Sequence, residues 1–310
     1  MNDIIIIGAG PAGLTAGLYA LRSGKTVKIF EKESIGGQIS TSPKVENYPS
    51  IKQISGMELS TNMFEQVMEL GIDFEYDEVK EVIKINEGFI VKTESDDFYA
   101  KAVIIATGVK HKKLNLPNED ELIGNGISYC ATCDGPFFKD QDVAVIGDGN
   151  SAFQYASLLA NYCKSVTICT LFDWFLADKA LVEKVENLSN VKILTNVSTT
   201  EYLISPNNEL SGLKFKNTLN NEESSLNVQG AFIAIGQIPD NKIFSSLVDL
   251  DEQGFIIANE SCLTKTEGLF VCGDCRTKEV RQVTTATSDG AIAATQAVKY
   301  MALWISLGFK

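Results

Sequence analysis

Histidine occurs once in this chain of 310 residues, at position 111, and no apolar run approaches the length of a membrane span. Cations are outnumbered: 27 Lys and Arg against 40 Asp and Glu leave a formal charge of −13. That balance excludes nucleic acid or an anionic membrane as a general partner, while leaving room for a local basic patch. The opening MNDIIIIGAG has no basic n-region and no cleavage site, so it reads as a buried strand and not a signal peptide. Seven cysteines, an odd number without an export signal, argue against a framework of structural disulfides and for a reducing cytoplasm with some reactive thiols. What remains, 45% hydrophobic and 22% charged, is the composition of a globular protein long enough for two domains.

Two glycine-rich openings organise the chain. In DIIIIGAGPAGLTAGLYALRSGKTVKIFEK an apolar strand leads into Gly8, Gly10 and Gly13, then a helix, then a strand ending at Glu31. Gly8 permits the tight turn, Gly10 admits a pyrophosphate to the backbone, and Gly13 lets helix pack on strand. Glu31, 23 residues after Gly8, is placed to accept hydrogen bonds from a ribose. The second opening, QDVAVIGDGNSAFQYASLLANYCKSVTICT, repeats the pattern with Gly147, Gly149 and Ala152. VIIATGVKHKKLNLP (103–117) and AFIAIGQIPDNKIF (231–244) read as the crossings between domains. The expected fold is α/β, with two Rossmann-like three-layer nucleotide-binding domains, the second inserted in the first: 1–116 with 245–310, and 117–244.

Between the openings lies SYCATCDGPFF. Cys130 and Cys133 in CxxC spacing can close a small disulfide, a nearby helix N-terminus would lower a thiol pKa, and Asp134 follows as a group able to move protons for a leaving thiolate. The other readings are a zinc half-site, for which CGDC (Cys272, Cys275) is the candidate second pair, and two inert cysteines. No metal is expected.

GAGPAG, GGQI (36–39), ENYP (46–49), ATG (106–108), CATCDG, GDGNSA, AIGQIPD and GDCRTKEVRQVTTATSDGAIAA (273–294) occur in the order found in low-molecular-weight thioredoxin reductases, which the chain resembles over essentially its whole length. The resemblance implies a cytoplasmic homodimer that carries FAD and reduces the disulfide of thioredoxin. It assigns Gly8, Gly10, Gly13, Glu31, Gly37, Gln38 and Asn47 to FAD, and Asp274, Arg281, Gln282 and Val283 to the segment that meets the ribityl chain and flavin ring. Pro11, Ala12, Lys32, Ala106, Thr107, Gly108 and Gly273 join the cofactor set. In that family the cysteine at the Cys133 position faces the flavin, the one at the Cys130 position exchanges with thioredoxin, and Asp134 matches the acid. Cys275 reads as structural, Cys272 has no precedent, and Cys163, Cys169 and Cys262 read as small core residues.

One stretch breaks the pattern. NADPH-dependent members carry a basic H-R-R-x-x-x-R motif after the second strand of the inserted domain, and the aligned positions here are Thr170, Leu171, Phe172 and Leu176. The usual paired glutamates are replaced by Gln154 and Tyr155. A hydrogen bond to a charged group contributes about 1.5–3 kcal/mol, so losing two costs about two to four orders of magnitude in affinity. NADPH is therefore not expected to bind well, and no acid at the strand end suits NAD. These departures resemble the ferredoxin-dependent flavin thioredoxin reductases, which makes reduced ferredoxin the expected donor. A ferredoxin near about −400 mV feeding a thioredoxin near about −270 mV releases on the order of 6 kcal/mol for two electrons. Candidate docking patches are Lys110, Lys112 and Lys113, or Arg276, Lys278 and Arg281; His111 reads as a surface residue. The alternatives are an NADPH-dependent reductase with a divergent cofactor loop and a non-catalytic FAD-binding redox sensor.

Overall fold

The computed structural model describes residues 2–42 and 44–306. Its helices are α1 (Pro11–Arg22), α2 (Gly56–Met68), α3 (Ala131–Asp134), α4 (Asn150–Leu159), α5 (Lys179–Glu186) and α6 (Val283–Ser306). The chain forms two compact units: one joins the chain before His111 to the chain from Ile238 onward, and the other is His111–Gln237. These junctions lie 6 and 7 residues ahead of the boundaries at 117 and 245 expected from sequence. Among the described residues no helix is long and apolar enough to cross a membrane.

In the first unit, Asn2–Ile7 pairs in parallel with Val27–Glu31 on one side and Asp97–Ile105 on the other, inside a seven-stranded sheet. Ile4, Ile5, Ile6 and Ile7 are buried, alternate residues serving cores on opposite faces of the sheet. A strand covered on both faces reads as a continuous apolar run, which is why four isoleucines in succession make one. The helices α1 and α6 pack closely because Gly290 has no Cβ; one built there would stand 2.2 Å from the Ala12 carbonyl oxygen.

The second unit has a five-stranded parallel sheet in the order Val191–Leu194, Ser165–Cys169, Asp142–Ile146, Gly230–Ile233, Ile127–Ser128. One core is formed with residues of α4 and α5, including Phe153, Leu159 and Val185. The other packs the opposite face against Val197–Ile204 and Leu210–Asn217 of a three-stranded antiparallel sheet. Each glycine-rich opening thus folds as strand, turn, helix and parallel strand, and both units are Rossmann-like.

Candidate functional sites

The first glycine turn is packed too closely against its own backbone to admit side chains at Gly8 and Gly13. Gly8 sits at φ +109°, and a Cβ there would lie 2.4 Å from the Ala106 carbonyl oxygen; at Gly13 it would lie 1.9 Å from the Gly8 oxygen. No side chain caps α1 at Gly10, and Pro11 at its first position has no N–H to satisfy. Gly37 approaches Gly10, and Gly36 donates to the Ala9 carbonyl at 2.8 Å, so a second turn lies against the first. Glu31 is buried at the strand end, accepting the N–H groups of Ala9 and Glu33, each at 2.8 Å. Exposed Lys32 is held in ion pairs with Asp240 at 2.5 Å and Glu78 at 3.5 Å. Exposed Gln38 lies in the short Gly37–Thr41 helix that follows.

Residues far apart in sequence converge on the same unit. Asn47 donates to Gln282 Oε1 at 3.1 Å, just before Val283 opens α6. Thr107 bonds Asn241 at 3.2 Å, and Gly108 takes φ +64°. Gly273, at φ +80°, lies beside Ala12, where a Cβ would come within 2.8 Å of the alanine's own. Next to it, burial pushes the Asp274 carboxyl up to about 6, and its Oδ1 has no hydrogen-bond partner among the described residues. A buried carboxylate oxygen left alone is costly unless a ligand hydroxyl meets it. Arg281 stacks over the Phe255 ring at 4.3 Å and donates to the Asp274 carbonyl at 3.3 Å. The turn without side chains, the buried acid at the strand end and the orphaned Asp274 oxygen together fit a dinucleotide carrying ribose and ribityl hydroxyls.

In the second unit Cys130 and Cys133 form a disulfide with Cα atoms 5.3 Å apart. Cys130 is the N-cap of α3, its sulfur accepting the Cys133 N–H at 3.1 Å. Asp134, half-buried, accepts from Ser128 Oγ at 2.6 Å; burial raises its pKa above the usual carboxylate range and the Ser128 bond opposes that rise. Tyr129, immediately before Cys130, donates to buried Glu119 at 2.7 Å, and its ring stacks on His111 at 5.0 Å. The imidazole, expected at the surface, is half-buried, and burial pulls its pKa down to about 4.

The second glycine turn has Gly147 at φ +147° and no side-chain cap at Gly149. The loop after Ser165–Cys169 closes on it: Leu176 and Ala177 donate to the Asp148 carbonyl at 2.9 and 3.2 Å, and Asn150 and Asp178 exchange two hydrogen bonds. Thr170 is buried, its hydroxyl bonding the Phe172 carbonyl at 2.7 Å. Leu171, Phe172, Trp174 and Leu176 are exposed, with Phe172 and Trp174 stacked at 4.9 Å. Phe175 turns inward onto Phe153, so it does not crowd the loop's outer face. Gln154 is exposed, whereas the Tyr155 hydroxyl donates to the Tyr129 carbonyl at 3.0 Å.

The packing corrects one of the two proposed docking patches. Arg276, Lys278 and Arg281 do not make a docking patch: Arg276 and Lys278 retain 2% and 6% side-chain exposure, and both bind Asp289, Arg276 through two bonds of 2.8 Å. Cys272 and Cys275 are not a second redox or metal pair, because Cys272 lies in the core on one face of the sheet and Cys275 in the core on the other. Cys163, Cys169 and Cys262 are buried free thiols, and burial raises each one's pKa. In the first patch Lys110, Lys112 and Lys113 are all exposed, Lys110 pairing with Glu33 and Lys113 with Asp120. Sequence reasoning passed over Asp289, Ser128 and Glu119, none of which belongs to a spaced motif.

The family described as pyridine nucleotide-disulphide oxidoreductase matches residues 2–290. The chain is 40% identical over 299 residues to the thioredoxin reductase of Bacillus subtilis (strain 168), covering 96% of this chain and 94% of that one. It is 41% identical over 300 residues to the thioredoxin reductase of Ureaplasma parvum serovar 3, covering 96% of each. The crystal structure of thioredoxin reductase from Streptococcus pyogenes MGAS5005 superposes with a TM-score of 0.93 at 36% identity, covering 98% of this chain and 99% of that one.

Proposed function

Because the chain belongs to the low-molecular-weight thioredoxin reductase family, we propose that it is an FAD-carrying disulfide oxidoreductase that reduces thioredoxin through Cys130 and Cys133. The observation that carries the reading is the joined pair itself, with the Cys133 N–H directed at the Cys130 sulfur. That donor favours Cys130 as a thiolate once the pair is reduced. Its sulfur attacks one sulfur of the substrate disulfide, forming a mixed disulfide, and the departing thiolate takes the Asp134 proton. Cys133 then gives its proton to the Asp134 carboxylate and attacks Cys130. The enzyme disulfide closes, the second substrate thiolate leaves and takes a proton from water, and two electrons have passed from the dithiol to the substrate.

In this reading Gly8, Gly10, Pro11, Ala12 and Gly13 hold the pyrophosphate, and Glu31 and Lys32 lie on the ribose side. Gly37, Gln38, Asn47, Ala106, Thr107, Gly108, Gly273, Asp274, Arg281, Gln282 and Val283 complete the cofactor site. FAD, when bound, supplies the carrier that collects electrons and delivers a pair to the disulfide. The protein acts as a cytoplasmic homodimer.

Reduced ferredoxin is the proposed donor, and NADPH is not. The support is the loop at 170–176, where the positions that would clamp a 2′-phosphate are Thr170, Leu171, Phe172 and Leu176, with no cation among them. Lys110, Lys112 and Lys113, all exposed, are the first proposed docking patch. A second reading, NADPH as donor with a different clamp, is favoured by the intact turn at Gly147 and Gly149. An anaerobic assay decides between them. Purified chain with oxidised thioredoxin should turn over with reduced ferredoxin and not with NADPH; turnover with NADPH alone would reverse the donor, and turnover with neither would leave a flavin-binding sensor.

A further inference from the structure

Ser128 ends a two-residue strand, Ile127–Ser128, that pairs with Ala231 and Phe232 at the edge of the parallel sheet. Its buried hydroxyl stands between two groups flanking the disulfide, accepting the Cys130 N–H at 3.0 Å and donating to Asp134 Oδ2 at 2.6 Å. A hydroxyl has one proton, and the 2.6 Å contact claims it over the 3.4 Å approach to the Cys130 carbonyl. At the other end of the same Tyr129–Cys130 peptide, Tyr155 of α4 donates to the Tyr129 carbonyl at 3.0 Å. The chain leading into Cys130 is thus fastened to the sheet by one side chain and to a helix by another.

We propose that Ser128 is a positioning residue for disulfide exchange, holding the Asp134 carboxyl and the Cys130 peptide as one hydrogen-bonded unit anchored to the sheet. The inference rests on the reading of Cys130 and Cys133 as the exchanging pair. Asp134 Oδ1 is buried without a hydrogen-bond partner among the described residues, so Ser128 fixes one oxygen and leaves the other to carry a proton. The ionisable group that faces Asp134 from α4 is Tyr155, and Tyr162, beyond the end of that helix, lies beside Gly135. Burial raises the carboxyl's pKa, and the Ser128 bond draws it back toward the ordinary range. Removing the hydroxyl withdraws a donor to the carboxylate and moves the titration to higher pH.

The test uses the full-length chain as isolated. Carboxyl ¹³C NMR follows the Asp134 titration, the resonance being identified by its loss in Asp134→Asn. Ser128→Val and Ser128→Thr have the same shape without and with a hydroxyl, so packing effects cancel between them. The midpoint should move to higher pH in Ser128→Val and stay near that of the unchanged chain in Ser128→Thr. In stopped flow, the dithionite-reduced chain should reduce 5,5′-dithiobis(2-nitrobenzoate) about tenfold more slowly in Ser128→Val, the scale of one hydrogen bond to a charged group, with recovery in Ser128→Thr. Equal midpoints in the two variants, or equal rates, overturn the proposal. If the midpoint moves but the unchanged chain does not reduce the reagent at all, the reading of the pair as exchanging thiols falls instead, which separates the two failures.

Discussion

Placing arginine at 171, 172 and 176 asks whether the loop alone excludes a 2′-phosphate. Leu171, Phe172 and Leu176 are 48%, 44% and 68% exposed, so the new guanidinium groups would stand largely in water. A buried charge-assisted bond contributes about 1.5–3 kcal/mol, but solvent and salt screen an exposed pair toward about 1 kcal/mol or less. Two arginines on one phosphate should therefore gain about 2 kcal/mol, roughly thirtyfold in affinity. Phe172→Arg also gives up the stack on Trp174, though a guanidinium can lie over the indole in its place. Calorimetric titration with 2′,5′-ADP reads the clamp separately from hydride transfer. The unchanged chain should bind in the millimolar range or more weakly, and the triple variant about thirtyfold more tightly at low salt, the gain shrinking as salt rises. Rapid flavin reduction of the unchanged chain by micromolar NADPH, or a folded triple variant with no gain, would refute the reasoning.

Cys130→Ser and Cys133→Ser should each abolish thioredoxin reduction while FAD, measured by absorbance per chain, stays bound; activity in either variant moves the chemistry elsewhere. Asp274 has a folded pKa of about 6 against an ordinary value near 3.8, so its ionised form destabilises the flavin-free chain fully above about pH 6 and is relieved as pH falls toward 4. Asp274→Asn should thus raise the melting temperature of flavin-free protein at pH 7.5 and not at pH 4, yet weaken FAD retention; an equal change at both pH values would dismiss the linkage. Asp289→Asn removes the buried carboxylate shared by Arg276 and Lys278, while Arg276 keeps its contact with exposed Glu260 at 3.3 Å, and urea unfolding should register a loss of about 3–5 kcal/mol, whereas an exposed pair would lose under about 1 kcal/mol.

What the sequence determined by itself is local or nearly so. The isoleucine run, the GxGxxG spacing and Glu31 specify strand, turn, helix and strand because each depends on neighbours a few residues away: a buried strand needs continuous apolar residues, and a turn under a helix end cannot tolerate a Cβ. The CxxC spacing likewise brought two sulfurs within bonding reach on one turn. The same spacing at Cys272 and Cys275 carried no such meaning, since the chain there passes from one face of a sheet to the other. Only the tertiary structure decided that, and it decided the fate of the charges. Arg276 and Lys278 read as a basic patch until Asp289, brought over by α6, buried both. Ser128, Asp134 and Tyr155 meet around Cys130 because the sheet edge sets one and α4 another. Hydrogen-bond partners are chosen by proximity in space, and a buried polar group takes whichever neighbour the packing supplies, so no spacing rule along the chain could have identified them.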